Sequence, residues 1–407
     1  MDAVRYVITE YTHNNRKGVL SFSLHAKTNK MDAVHFSPLS ESMDAAAIGD
    51  IFVAKVTNVV RQLNAAFIDY APNQKGYLPI RPEYAPVITN RKYDGRILAG
   101  DEILVQMEKE AVRTKEPVFT TNLSLAGRYS VVSSANTYKG VSRKCTKTEK
   151  EQLRAAIPQD MEYGVVIRTN AAALLQSPDG LRQITEEIRS LNDRLAALIH
   201  DGIHRTCYSR IWTAAPSYLT NMRDEGVSFQ QIITDSQEIY ETVKEFAALY
   251  MPEQLAGISL YQDASYPLHK LYRVETQLDE LLCKKVWLRS GAYLILEKTE
   301  AMYVIDVNSG KNITKKTSAE YIFQINLEAA GEIMRQIRLR NLTGMILVDF
   351  INMEDSGKEN ELLSELRLHA KKDRILTTVV DITALGLVEI TRKKTTKSLA
   401  EQLGVPQ

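Results

Sequence analysis

The sequence predicts a mixed, multidomain α/β protein that contains a small β-barrel, and three observations carry that expectation. Between Ile48 and about Tyr129, short apolar runs ("IGDIFVAKVTNVV", "LNAAFIDYA", "QKGYLPI", "GDEILVQMEKEA") follow one another closely, broken by Gly, Pro, Asn and Asp, as barrel strands are. From Val286 onwards strand-like and helix-like segments alternate, the pattern of a sheet covered by helices. Between these regions, Ile184, Ile188, Leu191, Leu195 and Leu198 recur at helical spacing and predict an amphipathic helix from about Leu181 to Ile203.

Composition bounds the partners. A chain of 407 residues, 44% of them hydrophobic, has material for about two to four packed domains. The 51 Lys and Arg are balanced by 50 Asp and Glu, so a nucleic-acid partner has to be met by local basic patches and not by a global field. Cys145, Cys207 and Cys283 are the only cysteines, without a C-x-x-C pair, which fits a reducing compartment and excludes a cysteine-rich zinc site. No basic and apolar leader pattern opens the chain, and no apolar run reaches the roughly twenty residues of a membrane span, so a cytoplasmic location is expected.

Residues 1 to about 40 offer strand-like pieces, Arg5 to Thr9 and Gly18 to Leu24, that are too short to fold alone and should complete a sheet elsewhere. In "AAFIDY" of the barrel region, Ala66, Ile68 and Tyr70 alternate with Ala65, Phe67 and Asp69; if the first set faces the core, Phe67 lies outside beside a charge. An aromatic so placed, joined by Tyr77 of the next strand, is either a base-stacking platform or a rim residue covering the end of the core. Residues 130 to about 215 carry the strand "YGVVIRTNAA", the turn "SPDG" and the amphipathic helix. Arg168 and Thr169 at that strand's end set a guanidinium fork beside a hydroxyl, donors that suit a terminal phosphate, although an arginine at a strand end is more often a solvated or paired surface residue. Arg143, Lys144 and Lys147 of "KGVSRKCTKTEK" read as a hydrated loop. Residues 216 to 285 show two helix-like segments and a strand, "GISLYQ", a small α/β unit without evident chemistry.

In the last segment "YLILEKTEAMYVIDVNSG" predicts a hairpin pair, followed by a helix from Thr317 to about Arg340. Thr317 and Glu320 have capping-box spacing, and Ile322, Ile325, Ala329, Ile333 and Ile337 form its inward stripe. "GMILVDF" is continuously apolar, as a strand covered on both faces is, and a helix from about Asn360 to Lys372 and the strand "ILTTVVDITA" follow. Two apolar strands thus end on acids, Asp306 and Asp349, and the intervening helix is long enough to return the chain so that they lie side by side. Placed so, the pair would suit a hard divalent cation such as magnesium, which takes a few carboxylate oxygens and leaves other positions to water and substrate phosphate. Asn308, on the face of Asp306, is placed to orient a water. The alternative is that both acids only start turns. Lys311, Arg335, Arg338, Arg340, Arg374, Arg392, Lys393, Lys394 and Lys397 offer charge against a phosphate backbone.

The stretches "RSGAYLILEKTEAMYVIDVNSGK", "NLEAAGEIMRQIRLRNLTGMILVDFINM" and "GLVEITRKKTTKSL" resemble the catalytic region of the ribonuclease E/G family, and "GVVIRTNA", "SLAGRYSVV" and "AAFIDYAPNQKGYLPI" extend the resemblance over essentially the whole chain. It implies an RNase H-like subdomain split between residues 1–40 and 216–285, an inserted OB-fold at 41–129, a 5′ sensor at 130–215 and a DNase I-like catalytic subdomain at 286–407. It also implies roles: Asp306 and Asp349 as magnesium ligands, with manganese as a substitute; Asn308 as the residue that positions the attacking water; Phe67, Tyr77 and Lys115 as contacts to single-stranded RNA; and Arg168 and Thr169 as a 5′-monophosphate pocket. Of the basic residues named above, Lys311, Arg338, Arg374 and Arg392 are the candidate contacts to the RNA backbone.

Two departures stand out. Family members usually continue into a C-P-x-C zinc link between protomers, whereas this chain ends "AEQLGVPQ" with no cysteine after Cys283, so no zinc is expected and any homo-oligomer would not be zinc-linked. Tyr77 stands where Phe is more usual, a change that preserves stacking. The resulting expectation is a magnesium-dependent endoribonuclease of RNA processing and decay, stimulated by a 5′-monophosphate and leaving 5′-phosphate and 3′-hydroxyl ends. A non-catalytic RNA-binding adaptor of the same fold is the alternative, and a nuclease acting on DNA is a third.

Overall fold

The computed structural model describes residues 4–39, 46–111, 115–135, 137–226, 228–263, 265–310, 319–353 and 355–405. The chain divides into two compact units, Met1–Leu39 with Ser217–Gln407, and Ser40–Pro216.

The chain starts with three antiparallel strands, β1 (Val4–His13), β2 (Arg16–His25) and β3 (Met31–Pro38). The first two are joined by Asn14 and Asn15 at φ of 47° and 63°, a left-handed two-residue turn that asparagine tolerates. The third strand is an addition to the two expected from the sequence.

In the unit Ser40–Pro216, β4 (Ile51–Val60), β5 (Ala65–Ala71), β6 (Gln74–Pro79), β7 (Glu102–Lys109) and β8 (Val118–Thr120) close into a barrel in the order β4-β5-β6-β8-β7, with β7 pairing back to β4. β6 and β8 run parallel and the other pairs antiparallel, which makes the barrel OB-like. Phe52, Ile68, Leu78, Ile103, Val105 and Phe119 fill it. The four long strands coincide with the expected runs, whereas the closing β8 is too short to carry a period.

Downstream, β9 (Ser124–Ala126), β10 (Ser130–Ser133), β11 (Lys139–Val141), α1 (Lys147–Arg154) and β12 (Gly164–Ile167) lead to α2 (Gly180–Ile203). The four strands form a sheet in the order β11-β12-β10-β9. Ile184, Ile188, Leu191 and Leu195 of α2 are buried with Val132, Val165 and Ile167 of that sheet, the stripe read from the sequence. β13 (Arg210–Trp212) then pairs with β4.

The other unit resumes with α3 (Ser217–Asp224), β14 (Gln231–Thr234), α4 (Gln237–Tyr250), β15 (Ile258–Leu260), α5 (Leu268–Leu271) and α6 (Val274–Leu282). β14 and β15 join the N-terminal strands in a five-stranded sheet, β15-β14-β1-β2-β3, with β1, β14 and β15 parallel. The first strands therefore find their sheet in a segment more than two hundred residues away, as their shortness requires.

A six-stranded sheet of order β16-β17-β18-β19-β21-β20 closes the unit. It comprises β16 (Lys285–Trp287), β17 (Tyr293–Lys298), β18 (Met302–Asn308), β19 (Gly344–Asp349), β20 (Thr377–Ile382) and β21 (Leu387–Arg392), with α7 (Ala319–Leu339), α8 (Ser356–Lys371) and α9 (Leu399–Leu403). Tyr303, Ile305, Val307, Ile346, Val348, Val388 and Ile390 pack one face against Ala329, Ile333 and Ile337 of α7 and Leu362 and Leu366 of α8. The opposite face is open: Met345 is 50% exposed. This corrects the expectation that "MILVD" is covered on both faces. Only β18 and β19 pair in parallel, so a single crossover is needed, and both helices share one face. α8 begins a turn earlier than expected, because the Asp355 side chain accepts a hydrogen bond from the Gly357 amide. Thr317 of the expected capping box lies outside the described residues.

Candidate functional site

Alternation decides where the acids point. Tyr303, Ile305 and Val307 enter the core, so Val304, Asp306 and Asn308 occupy the open face. The parallel pairing of β18 with β19 sets Asp306 directly beside Asp349. Neighbouring strands run about 4.8 Å apart, so the two carboxylates project from adjacent positions of one face, and both are exposed. Asp306 does not end its strand, contrary to the expectation from its sequence. It lies within the pairing, flanked by Ile295 of β17 and Asp349, and its charge is tolerated because no helix of the described residues covers this face. Asn308 Nδ2 donates to Asp306 Oδ2, which fixes that carboxylate, and the amide oxygen of Asn308 has no hydrogen-bond donor among the described residues.

The helix α7 holds this face in register from behind. Buried Asn326 donates through Nδ2 to the Ile351 carbonyl at 2.8 Å and accepts from the Ile351 amide at 3.2 Å, clamping the chain two residues beyond Asp349. The Glu328 carboxylate accepts from the amides of Arg289 (2.7 Å) and Ser290 (3.3 Å), fixing the turn that opens β17. The helical period of "NLEAA" does not reveal these two roles; the signal the sequence offers is a pair of polar residues inside an otherwise apolar run. Gly310 closes the stretch after Asn308 at φ +72°, and a side chain there would collide with the Gly291 carbonyl. Gly310→Ala is expected to cost about 1–3 kcal/mol of stability, measured by urea denaturation.

Among the described residues no group of three or more His, Cys, Asp and Glu converges on a point. Two exposed carboxylates with an amide are nevertheless a donor set that fits magnesium, which is bound through one or two carboxylates with water and phosphate in its other positions. They lack the nitrogen and sulfur donors of a structural zinc site.

The barrel brings the expected aromatics together. Phe67 and Tyr77 are direct cross-strand partners on the outer surface, with ring centroids 5.9 Å apart at 67°. The Tyr77 amide donates to the Pro117 carbonyl at 2.9 Å, which holds the segment carrying exposed Lys115 alongside.

Arg168 follows β12 and donates through Nη1 to the Gly127 carbonyl at 2.8 Å, and Thr169 shares a 2.9 Å hydrogen bond with Ser142. Glu187 of α2 organises the facing loop, accepting from the amides of Arg128 (2.8 Å) and Tyr129 (2.9 Å) and from the Ser130 hydroxyl (2.7 Å). Ser142 and Glu187 cannot be singled out from the sequence, because neither lies near Arg168 along the chain.

Of the basic residues expected on the RNA backbone, the three that are described, Arg338, Arg374 and Arg392, do not converge on the aspartates. Lys311 lies outside the described residues. Arg338 is half-buried on α7, behind the sheet, and its Nη1 is buried without a hydrogen-bond partner among the described residues; burial holds its guanidinium below the usual arginine range. Arg374 is exposed and donates to Asn221 Oδ1 at 2.8 Å, with His35 Nε2 3.3 Å away. Burial, with Arg374 adding to it, keeps that His35 well below the ordinary histidine range, hence neutral, while burial raises neighbouring Glu225. The expectation for Arg392 is corrected: it is 4% exposed, on the covered face beside Val388 and Ile390, and donates to Asp373 at 2.7 Å, to Asn341 at 2.6 Å and to the Leu342 carbonyl at 3.1 Å. Its donors are spent inside the fold and cannot reach a phosphate.

Comparison with known proteins assigns the family. The pattern of the Ribonuclease E/G family matches residues 124–395. Ribonuclease G of Escherichia coli is 30% identical over 374 residues, covering 88% of this chain and 74% of that protein. Ribonuclease G of Haemophilus influenzae is 31% identical over 417 residues (99% and 82%), and Ribonuclease E of the same organism 32% over 377 residues (86% and 38%). No helix among the described residues is long and apolar enough to cross a membrane. With the family pattern matching most of its length and relatives at 30–31% identity covering 88–99% of it, the chain belongs to the ribonuclease E/G family.

Proposed function

We propose that the open face of the six-stranded sheet hydrolyses single-stranded RNA with magnesium held by Asp306 and Asp349. That the chain is an endoribonuclease of RNA processing follows from its family; the observation that carries the finer reading is the register that sets Asp306 beside Asp349, with Asn308 bonded to the first. When bound, magnesium lowers the pKa of water and neutralises charge on the phosphate. The chain's own groups do the rest. Asp306 and Asp349 offer carboxylate oxygens to the metal from a rigid sheet. Asn308 steadies Asp306 through its amide nitrogen, and its oxygen accepts from the attacking water and so orients it. Hydrolysis in this way leaves a 5′-phosphate and a 3′-hydroxyl.

The six-stranded sheet with its two helices then serves as the DNase I-like catalytic part, and the five-stranded sheet as the RNase H-like part. The OB-like barrel grips the strand, Phe67 and Tyr77 stacking on bases while Lys115 meets a phosphate. Arg168 and Thr169 recognise a 5′-monophosphate. Cleavage of an RNA oligomer that needs added magnesium tests the reading, and binding without cutting at several protein concentrations would make the chain an adaptor.

Arg168→Ala is expected to erase the preference for 5′-monophosphorylated over 5′-hydroxyl RNA, about ten- to a hundredfold, since hydrogen bonds to charged groups contribute about 1.5–3 kcal/mol. The ratio of initial cleavage rates on the two substrates measures it. An unchanged ratio would reduce Arg168 to a brace for the Gly127 loop.

A further inference from the structure

We infer that Trp287, Tyr293 and Lys285 form a nucleobase-stacking subsite on the same open face as Asp306 and Asn308. The inference rests on reading that face as the RNA-cleaving site. β16 pairs with β17 so that Trp287 faces Tyr293 and Lys285 faces Ile295; β17 pairs with β18 so that Tyr293 faces Asn308 and Ile295 faces Asp306. Directly paired residues share a face, so all four side chains stand with the acids, opposite the helices. Tyr293 is one strand from Asn308 and Trp287 two, about 5 and 10 Å at the usual strand spacing.

Trp287 is 64% exposed. Its ring and that of Tyr293 have centroids 5.2 Å apart at 61°, and Lys285 Nζ lies 3.9 Å from the first and 3.7 Å from the second. The ammonium therefore braces two aromatic rings that no core requires. Tryptophan is the side chain with the most apolar surface to hide, and one left open beside polar groups marks a binding surface. The ligand chemistry follows from the set. A flat π surface stacks on any unpaired base, a neighbouring ammonium suits the linking phosphate, and no donor array among the described residues reads sequence, so the occupant is a nucleotide of single-stranded RNA flanking the scissile phosphate. This subsite lies on the catalytic sheet itself and is separate from the Phe67 and Tyr77 pair of the barrel.

The chain has two tryptophans, Trp212 and Trp287, so a Trp212→Phe background isolates the second. In EDTA, to prevent cutting, a single-stranded RNA decamer is expected to quench Trp287 emission, and a duplex of equal length to leave it unchanged. By fluorescence anisotropy with the labelled decamer, Trp287→Ala weakens binding about tenfold and Trp287→Phe less than about threefold, in line with stacking on one base. If Trp287→Ala binds as tightly as the parent, and the emission does not respond to RNA that the parent binds and cuts, the subsite is refuted while the nuclease reading stands. A parent chain that neither binds nor cuts single-stranded RNA overturns both.

Discussion

Asp306→Asn and Asp349→Asn are each expected to lower kcat for cleavage of single-stranded RNA by roughly a thousandfold or more while RNA affinity stays within about threefold of the parent. The magnitude follows from the several kcal/mol that a bound cation contributes to a phosphoryl transition state, which an amide in place of a carboxylate cannot recruit. The separation of effects follows from the placement. Both acids are exposed, on a face that no helix of the described residues covers, so neither replacement disturbs the core. Asn308→Ala should fall between parent and aspartate variants, because it removes the proposed acceptor for the water and the brace on Asp306 but leaves both carboxylates. Single-turnover cleavage and anisotropy on the same preparations measure both quantities. Full activity in either aspartate variant would return the acids to ordinary solvated residues.

Arg392→Met is expected to cost about 3–5 kcal/mol, a large share of the roughly 5–15 kcal/mol by which domains are stable. The pair it breaks is almost wholly enclosed, Arg392 at 3% and Asp373 at 1% side-chain exposure, with Nε 2.7 Å from the carboxylate. Removing the cation strands a buried anion. Burial by itself raises the Asp373 carboxyl, but the Arg392 bond and charge, the Thr377 hydroxyl at 2.7 Å and the Ile375 amide at 3.1 Å together outweigh it and hold the group below the usual carboxylate range. A carboxyl depressed in the folded state contributes stability that is fully present above its unfolded value of about 3.9, and that contribution is lost as pH falls through the folded value. In the variant the Arg392 bond and charge no longer lower the carboxyl, so it takes up a proton at a higher pH than in the parent. The gap in urea midpoint between parent and Arg392→Met is therefore expected to be widest near neutrality and to narrow as the pH falls through the acid range. A constant gap would mean that lost packing, and not charge, sets the cost.

Arg392 also shows how much of the fold is legible in the sequence. In "RKKTTK" it looks like the first residue of a hydrated basic run, yet the alternation begun by Val388 and Ile390 points it inward, and that two-residue period is present in the sequence itself. The same period places Asp306 and Asn308 correctly on one face, since Tyr303, Ile305 and Val307 show it cleanly. The β18–α7–β19 crossover is legible because a long helix between two apolar strands returns the chain in parallel. Which face the helices leave bare is not legible. Met345 and Leu347 are as apolar as their buried neighbours, so the run looks covered twice. The three-residue strands β8 and β16 carry no period at all, and nothing along the chain sets Trp287 of β16 apart from a core aromatic.

The most direct test is cleavage of a 5′-monophosphorylated, single-stranded RNA oligomer by the purified chain, with magnesium, with EDTA, and with magnesium restored, reading both ends of the products. The expected result is discrete cutting that leaves 5′-phosphate and 3′-hydroxyl ends, stops in EDTA, returns with the metal, and is absent from a parallel Asp306→Asn, Asp349→Asn preparation that still binds the oligomer. Cutting that persists in EDTA or in the doubly substituted chain would contradict the account, because the acids on the open face would then have no part in the chemistry.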